Sequence, residues 1–130
     1  RRLAAHRVRR PINAEIAKTL LESKNFHVEV AANGQKALEL YAQNPARYYD
    51  AILMDIRMPL MDGLQTTTNI RHWNKEDART IPIIAMTANA FDEDVDKSKA
   101  VGMNAHLSKP IDSTLLFSTL YRILFESDSF

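Results

Sequence analysis

Short apolar stretches alternate with amphipathic ones along the chain of 130 residues. Residues 49–56 (YDAILMDI) and 81–88 (IPIIAMTA) are almost continuously apolar, which predicts two strands buried on both faces of a sheet. Residues 27–31 (HVEVA) alternate strictly between apolar and polar, the pattern of a half-buried strand. Weaker strand patterns cover residues 3–8 and 105–109.

Amphipathic stretches separate these strands. In residues 12–24 the aliphatic side chains recur at helical spacing. The Asn33-Gly34 pair predicts a turn before the second helix, and Asp112-Ser113 is a typical start for the last one. The predicted helices cover residues 12–24, 35–44, 63–74, 92–102 and 114–127.

Strand and helix patterns therefore alternate five times, which predicts an α/β fold with a parallel sheet covered by helices on both faces. We expect a flavodoxin-like doubly wound sheet with strand order 2-1-3-4-5 and five helices. The length allows one domain, residues 1–130, in which residues 1–10 form an atypical basic first-strand segment. Ligands of such folds bind where the strands end, so the residues that end each apolar stretch are the candidates for function.

The charge distribution excludes several classes of protein. The net charge is +1, but five of the 17 basic residues lie in the first ten positions, leaving 12 basic and 16 acidic groups in the other 120. Nucleic-acid-binding proteins spread their basic groups over one face, so we expect no nucleic acid partner. The sequence has no cysteine and no apolar segment of about 18 residues, so we expect no disulfide, no membrane contact and a cytoplasmic location.

Three polar residues of complementary chemistry end three of the predicted strands: Asp55, Thr87 and Lys109. An isolated aspartate at this place is equally consistent with a simple loop start. The three together suit phosphoryl chemistry, because a carboxylate oxygen can attack phosphorus. A lysine and a hydroxyl can then stabilise the charge on the phosphoryl oxygens.

The segments DIRMPLMDG, MTANAF and HLSKPI resemble the signature segments of the two-component response-regulator receiver domain, and the resemblance covers residues 11–125. PINAEIAKTLLE and VEVAANGQKALEL are most similar to receivers of hybrid sensor histidine kinases and phosphorelays. The resemblance implies that Asp55 is the phosphoacceptor, Thr87 the switch hydroxyl and Lys109 the phosphate partner. It also implies a histidine kinase or a histidine phosphotransfer protein as the partner.

Other expectations follow from the same resemblance. Residues 92–127 would form the face that contacts output partners or a second copy in a homodimer, with His106 at the place of the switch aromatic residue. Any enzymatic activity would be limited to self-phosphotransfer and autodephosphorylation. Within a hybrid histidine kinase, the chain would be the receiver end.

The sequence departs from the family at the metal site. Receivers bind Mg²⁺ through two acidic residues at the end of the first strand, the acceptor carboxylate and a backbone carbonyl two residues after it. By position, these ligands fall on Val8, Arg9, Asp55 and the carbonyl of Arg57. Since Mg²⁺ needs hard oxygen ligands, we expect it to bind weakly or not at all.

Three explanations of this departure are open. Arg9 pairs with Asp55 in place of the metal, residues 1–10 form a poorly ordered basic arm, or these first residues are an artefact. The main functional alternative is a pseudo-receiver that binds partners without phosphorylation. A phosphatase of the haloacid-dehalogenase type would need a carboxylate where Arg57 stands, and an FMN carrier would need a phosphate-binding loop within RVRRPIN. The sequence has neither feature.

Overall fold

The computed structural model describes residues 2–6, 18–24, 26–31, 33–55, 62–87, 92–108 and 112–125. All strand pairs in one five-stranded sheet are parallel, and the strands lie in the order β2-β1-β3-β4-β5. The strands are β1 (Arg2–His6), β2 (His27–Ala31), β3 (Ala51–Asp55), β4 (Ile83–Thr87) and β5 (Ala105–Ser108). The described part of α1 covers residues 18–22, and the other helices are α2 (Gly34–Gln43), α3 (Gly63–Arg71), α4 (Asp92–Ala100) and α5 (Ser113–Phe125). This alternation confirms the predicted α/β fold with a parallel sheet.

The core lies in two layers, one on each face of the sheet. Every residue of β3 and β4 is buried, and successive strand residues alternate between the faces. One cluster packs β3 and β4 against α2 and α3, and its members include Tyr41, Ile52, Met54, Ile70 and Ile83. The other packs the same strands against α1 and α5, and its members include Leu21, Leu53, Ile84, Leu116 and Leu120.

The element ends differ from the predictions at several places. Asn33 is the N-cap of α2, since its side chain accepts the Lys36 N–H at 2.9 Å. The helix begins directly at Gly34, one residue before the predicted start. The predicted cap of the last helix is confirmed, since the Asp112 carboxylate accepts the Leu115 N–H at 3.1 Å.

Helix α3 ends at Arg71, three residues before the predicted end, since the chain turns away after His72. Residues 12–17 of the predicted first helix lie outside the described residues, and so do the last two residues of the predicted first strand. Within the described ranges, no helix is both long and apolar enough to cross a membrane.

A network of side chains holds the loops at the amino edge of the sheet, where the strands begin. The buried carboxylate of Asp77 accepts the Tyr41 hydroxyl at 2.6 Å and the Arg47 backbone N–H at 2.9 Å. The Lys75 ammonium donates to the carbonyls of Tyr41 and Asn44 at the end of α2. Side chains therefore satisfy the helix-end carbonyls and loop N–H groups that the sheet does not pair.

Two tyrosines at this edge predict a loss of stability in alkali. Burial, together with hydrogen bonds to Asp77 and Glu29, raises the pKa values of Tyr41 and Tyr49 above the ordinary value of 10.0. As the pH rises, the tyrosines of the unfolded chain therefore lose their protons before those of the folded chain. The free energy of unfolding should be highest below about pH 10 and should fall as the pH rises above that value. Urea unfolding between about pH 9 and 11 checks this. Tyr41→Phe or Tyr49→Phe should flatten the fall, because each removes a phenol whose pKa is raised.

A second prediction concerns Thr67 in α3. Its hydroxyl is completely buried and has no hydrogen-bond partner among the residues that the structure describes. Thr67→Val keeps the shape and removes the polar group, so we expect the free energy of unfolding to rise by about 1 kcal/mol. The control is Thr68→Val, since the Thr68 hydroxyl donates to the Leu64 carbonyl at 2.9 Å. Equal effects of the two substitutions in urea unfolding would contradict the prediction.

Candidate functional site

Asp55 and Thr87 end neighbouring strands at the carboxyl edge of the sheet. The register pairs Asp55 with Met86, so Thr87 stands one residue further along β4. Each of the two polar residues is only 4% exposed. Four apolar residues precede Asp55 in β3, which makes this edge the first place where the strand can present a carboxylate. Because a buried carboxylate is costly, the location makes Asp55 a candidate for a functional residue at this edge.

The third sequence-predicted residue is placed only through its neighbour. Ser108 ends β5 and pairs with Thr87, and Lys109 follows Ser108 directly in the chain. Lys109 itself lies outside the described residues, as do Val8, Arg9 and Arg57. Three strand ends, those of β3, β4 and β5, are therefore consecutive along this edge.

The first strand runs toward the same edge. It pairs with both neighbours, and its register sets Ala5 opposite Leu53, two residues before Asp55. The carboxyl end of β1, at His6, therefore lies on the Asp55 side of the sheet. The assignment of Val8 and Arg9 to the metal positions at the end of the first strand stays a prediction.

Side-chain hydrogen bonds around Asp62 define the start of α3. The Asp62 carboxylate accepts the Gln65 N–H at 2.8 Å, and the Gln65 side chain accepts the Asp62 N–H at 3.2 Å. This is a reciprocal capping box, strengthened by the Thr66 hydroxyl, which donates to the Asp62 carbonyl at 2.8 Å. Sequence reasoning missed it, although the DGLQ spacing carries the signal of such a cap.

The side chains at the predicted metal positions differ in what they offer a cation. Asp55 supplies a carboxylate, the Val8 side chain has no ligand atom, and the Arg9 side chain offers only hydrogen-bond donors. Among the described residues, no group of three histidine or acidic side chains is placed to hold a metal ion. Mg²⁺ prefers several carboxylate, carbonyl and water oxygens in octahedral geometry.

The predicted partner face contains a shallow cavity between α4, β5 and α5. Its volume is about 210 Å³, and its lining includes the side chains of Lys99, His106 and Arg122. His106 is exposed in the middle of β5, opposite Ala85. A histidine at this place can turn without disturbing the core, since its side chain faces solvent.

The comparisons with known proteins agree with this geometry. Residues 10–121 match the response regulator receiver domain family. The chain is 41% identical over 118 residues to hybrid signal transduction histidine kinase M of Dictyostelium discoideum, covering 90% of this chain and 5% of that protein. It is 38% identical over 112 residues to the signal transduction histidine-protein kinase BarA of Shigella flexneri, covering 86% of this chain and 12% of that protein. The chain thus spans a small fraction of the length of the curated relatives that it matches.

Solved structures extend the comparison to the fold. The receiver domain of a sensor histidine kinase from Pseudomonas aeruginosa, which has a magnesium ion coordinated in its active-site cleft, is 35% identical with a TM-score of 0.80. That match covers 92% of this chain and 94% of the other. A chemotaxis protein of Vibrio cholerae is 28% identical with a TM-score of 0.84, covering 95% and 98%. On the match to the family, on these relatives and on the fold, the chain is a response-regulator receiver domain of the two-component signalling family.

Proposed function

We propose that this receiver accepts a phosphoryl group from a phosphohistidine onto Asp55 as a step of a phosphorelay. The observation that carries the proposal is the buried Asp55 at the carboxyl edge of a fully apolar central strand, beside Thr87 at the end of the next strand. The donor would be a histidine kinase or a histidine phosphotransfer protein. A histidine kinase forms phosphohistidine with the phosphoryl group of ATP, which is available in the cytoplasm. The proposal therefore implies that the domain acts there.

In the proposed reaction, a carboxylate oxygen of Asp55 attacks phosphorus in line with the bond to the imidazole nitrogen. The P–N bond breaks, the imidazole takes up a proton, and Asp55 becomes an acyl phosphate. The Lys109 ammonium would offset the charge on the phosphoryl oxygens, and the Thr87 hydroxyl would donate a hydrogen bond to one of them. Movement of the Thr87 hydroxyl toward the phosphoryl group would report the modification to the partner face.

The direct test is phosphotransfer from a phosphorylated histidine phosphotransfer protein or from acetyl phosphate, followed by mass spectrometry. The unaltered protein should gain one phosphoryl group on Asp55, and Asp55→Asn should gain none, because an amide is not a nucleophile of this kind. Asp62→Asn is the matched control, since asparagine keeps the oxygen that caps α3. Labelling of Asp55→Asn at the same rate would refute the assignment.

We also propose that the metal site is impaired and that transfer to Asp55 is slow for this reason. A phosphoryl donor brings negative charge toward a carboxylate, and receivers ordinarily offset that repulsion with a divalent cation. Val8 and Arg9 occupy the positions of the acidic metal ligands, so the compensation would come from the Lys109 and Arg9 cations. A fixed cation balances charge, but it does not order the donor and acceptor oxygens as a shared ion does.

This leads to a quantitative prediction. Labelling by acetyl phosphate should be at least about 100-fold slower than in a receiver with both acidic residues, and adding Mg²⁺ should change the rate little. Val8→Glu combined with Arg9→Asp should create Mg²⁺ binding, measured by calorimetry, and recover most of the rate. Arg2→Asp, at the other end of β1, should do neither. Mg²⁺-dependent labelling of the unaltered protein at an ordinary rate would overturn the proposal.

The same departure favours a second candidate, a pseudo-receiver that docks partners without phosphorylation. Measuring the affinity for the partner protein distinguishes the two functions. A pseudo-receiver would bind equally well as Asp55→Asn and after exposure to acetyl phosphate, whereas a phosphoacceptor would change its affinity on labelling. In either case, we propose that residues 92–127 provide the contact face for the output partner or for a second copy.

A further inference from the structure

One arginine at the amino edge of the sheet joins three segments of the chain. The Arg71 guanidinium donates five hydrogen bonds, as many as it has N–H groups. Their lengths run from 2.7 to 3.1 Å, and every acceptor is a neutral amide oxygen. We call this group the Arg71 clamp, and its acceptors are the carbonyls of Ala78, Ile81 and Gly102 and the side-chain oxygen of Asn104.

Gly102 lets the guanidinium approach the chain that closely. Its φ of +100° lies in the left-handed region, and a Cβ at this position would stand 3.1 Å from the Arg71 Nε. The Gly102 carbonyl accepts from both Nε and Nη2 of Arg71, at 3.1 and 2.7 Å. The segment between α4 and β5 is therefore held at a fixed distance from the end of α3.

Asn104 connects the clamp to the sheet. Its backbone N–H donates to the Ile83 carbonyl at 2.8 Å, and its side-chain oxygen accepts the Ile83 N–H at 2.9 Å. The same oxygen accepts from Arg71 at 3.0 Å. Asn104 thus closes a two-bond pair with the first residue of β4, immediately before β5 begins.

This pair bears on the position of β5, which is a short edge strand. β5 has four residues and a single neighbour, β4, so few hydrogen bonds hold its register. The pair at Ile83 sets that register at one end, with Ala105 opposite Ile84. At the other end, the same register sets Ser108 opposite Thr87, directly before Lys109.

The three elements that meet in the clamp all reach the candidate site at their other ends. α3 is the next described element after β3, which ends at Asp55, while β4 ends at Thr87 and β5 ends at Ser108. Because the three elements share one anchor at the amino edge, the anchor constrains how far each of them extends toward the carboxyl edge.

We propose that Arg71 and Asn104 are positioning residues for phosphoryl transfer. They keep Ser108, at the end of β5, paired with Thr87 at the end of β4. The inference rests on the proposed function, because the groups they position are Thr87 and Lys109. Neither residue touches the phosphoryl group. They act through the register of β5 on β4, about four residues away from the chemistry.

The test uses Asn104, whose exposed side chain makes its replacement less disruptive than that of Arg71. Asn104→Ala removes the acceptor for the Ile83 N–H and for Arg71, and Asn104→Asp keeps an oxygen in the same place. We expect Asn104→Ala to lower the rate of Asp55 labelling by acetyl phosphate about tenfold, because small displacements of positioned groups are costly. Hydrogen exchange of the β5 amides should become about tenfold faster. Asn104→Asp should restore both.

Tyr41→Phe is the control for a merely structural role. It breaks the hydrogen bond to Asp77 at the same edge of the sheet without touching β5, so it should lower stability while leaving labelling and β5 exchange unchanged. Unchanged labelling and unchanged β5 exchange in folded Asn104→Ala would overturn the inference. If the unaltered protein takes no label, the proposed function fails. In that case the hydrogen exchange of β5 and the amide chemical shift of Thr87 still decide whether Asn104 holds β5 in register with Thr87, since both should change in Asn104→Ala.

Discussion

Every residue of β3 and β4 is buried, and the helices cover both faces of these two strands. Strands packed in this way can present reactive side chains only at their ends, where the sheet stops and the loops begin. Asp55 and Thr87 occupy the carboxyl ends of the two strands, at 4% exposure each. The candidate site therefore stands at the ends of two fully buried strands, which favours precise placement of its side chains.

The two edges of the sheet are built differently. At the carboxyl edge, the short side chains of Asp55, Thr87 and Ser108 end three of the strands. At the amino edge, long polar side chains reach across several segments, with Arg71 donating to loop carbonyls and Asp77 accepting from Tyr41. Loops there enclose many backbone groups that no strand pairs, so side chains satisfy them. This arrangement stabilises the elements whose other ends carry the function.

The chain belongs to the receiver family, but Val8 and Arg9 replace the acidic pair of that family. The two facts have separate consequences. The fold depends on apolar patterning, which the chain keeps from β2 to α5, and the match to the family is correspondingly long. Metal affinity depends on two side chains, and Val8 and Arg9 differ there from the acidic pair. The scaffold and these two positions can therefore vary independently in sequence.

Periodicity in the sequence was sufficient to predict the alternation of strands and helices, the parallel sheet and the place of Asp55. Each of these follows from which positions must be apolar over short stretches of chain. Element ends were less accurate, as at Arg71 and Gly34, because caps depend on side-chain hydrogen bonds more than on hydrophobicity.

Only the tertiary structure could reveal the Arg71 clamp and the buried Asp77, because both join residues that are about 30 positions apart in the chain. Nothing in the local sequence distinguishes Arg71 from a solvated arginine at the end of a helix. Its five hydrogen bonds go to four amide oxygens, three of them from the backbone, and backbone oxygens carry no signature in a sequence. The sequence by itself therefore determined which residues can react, and the folded chain decided what holds them in place.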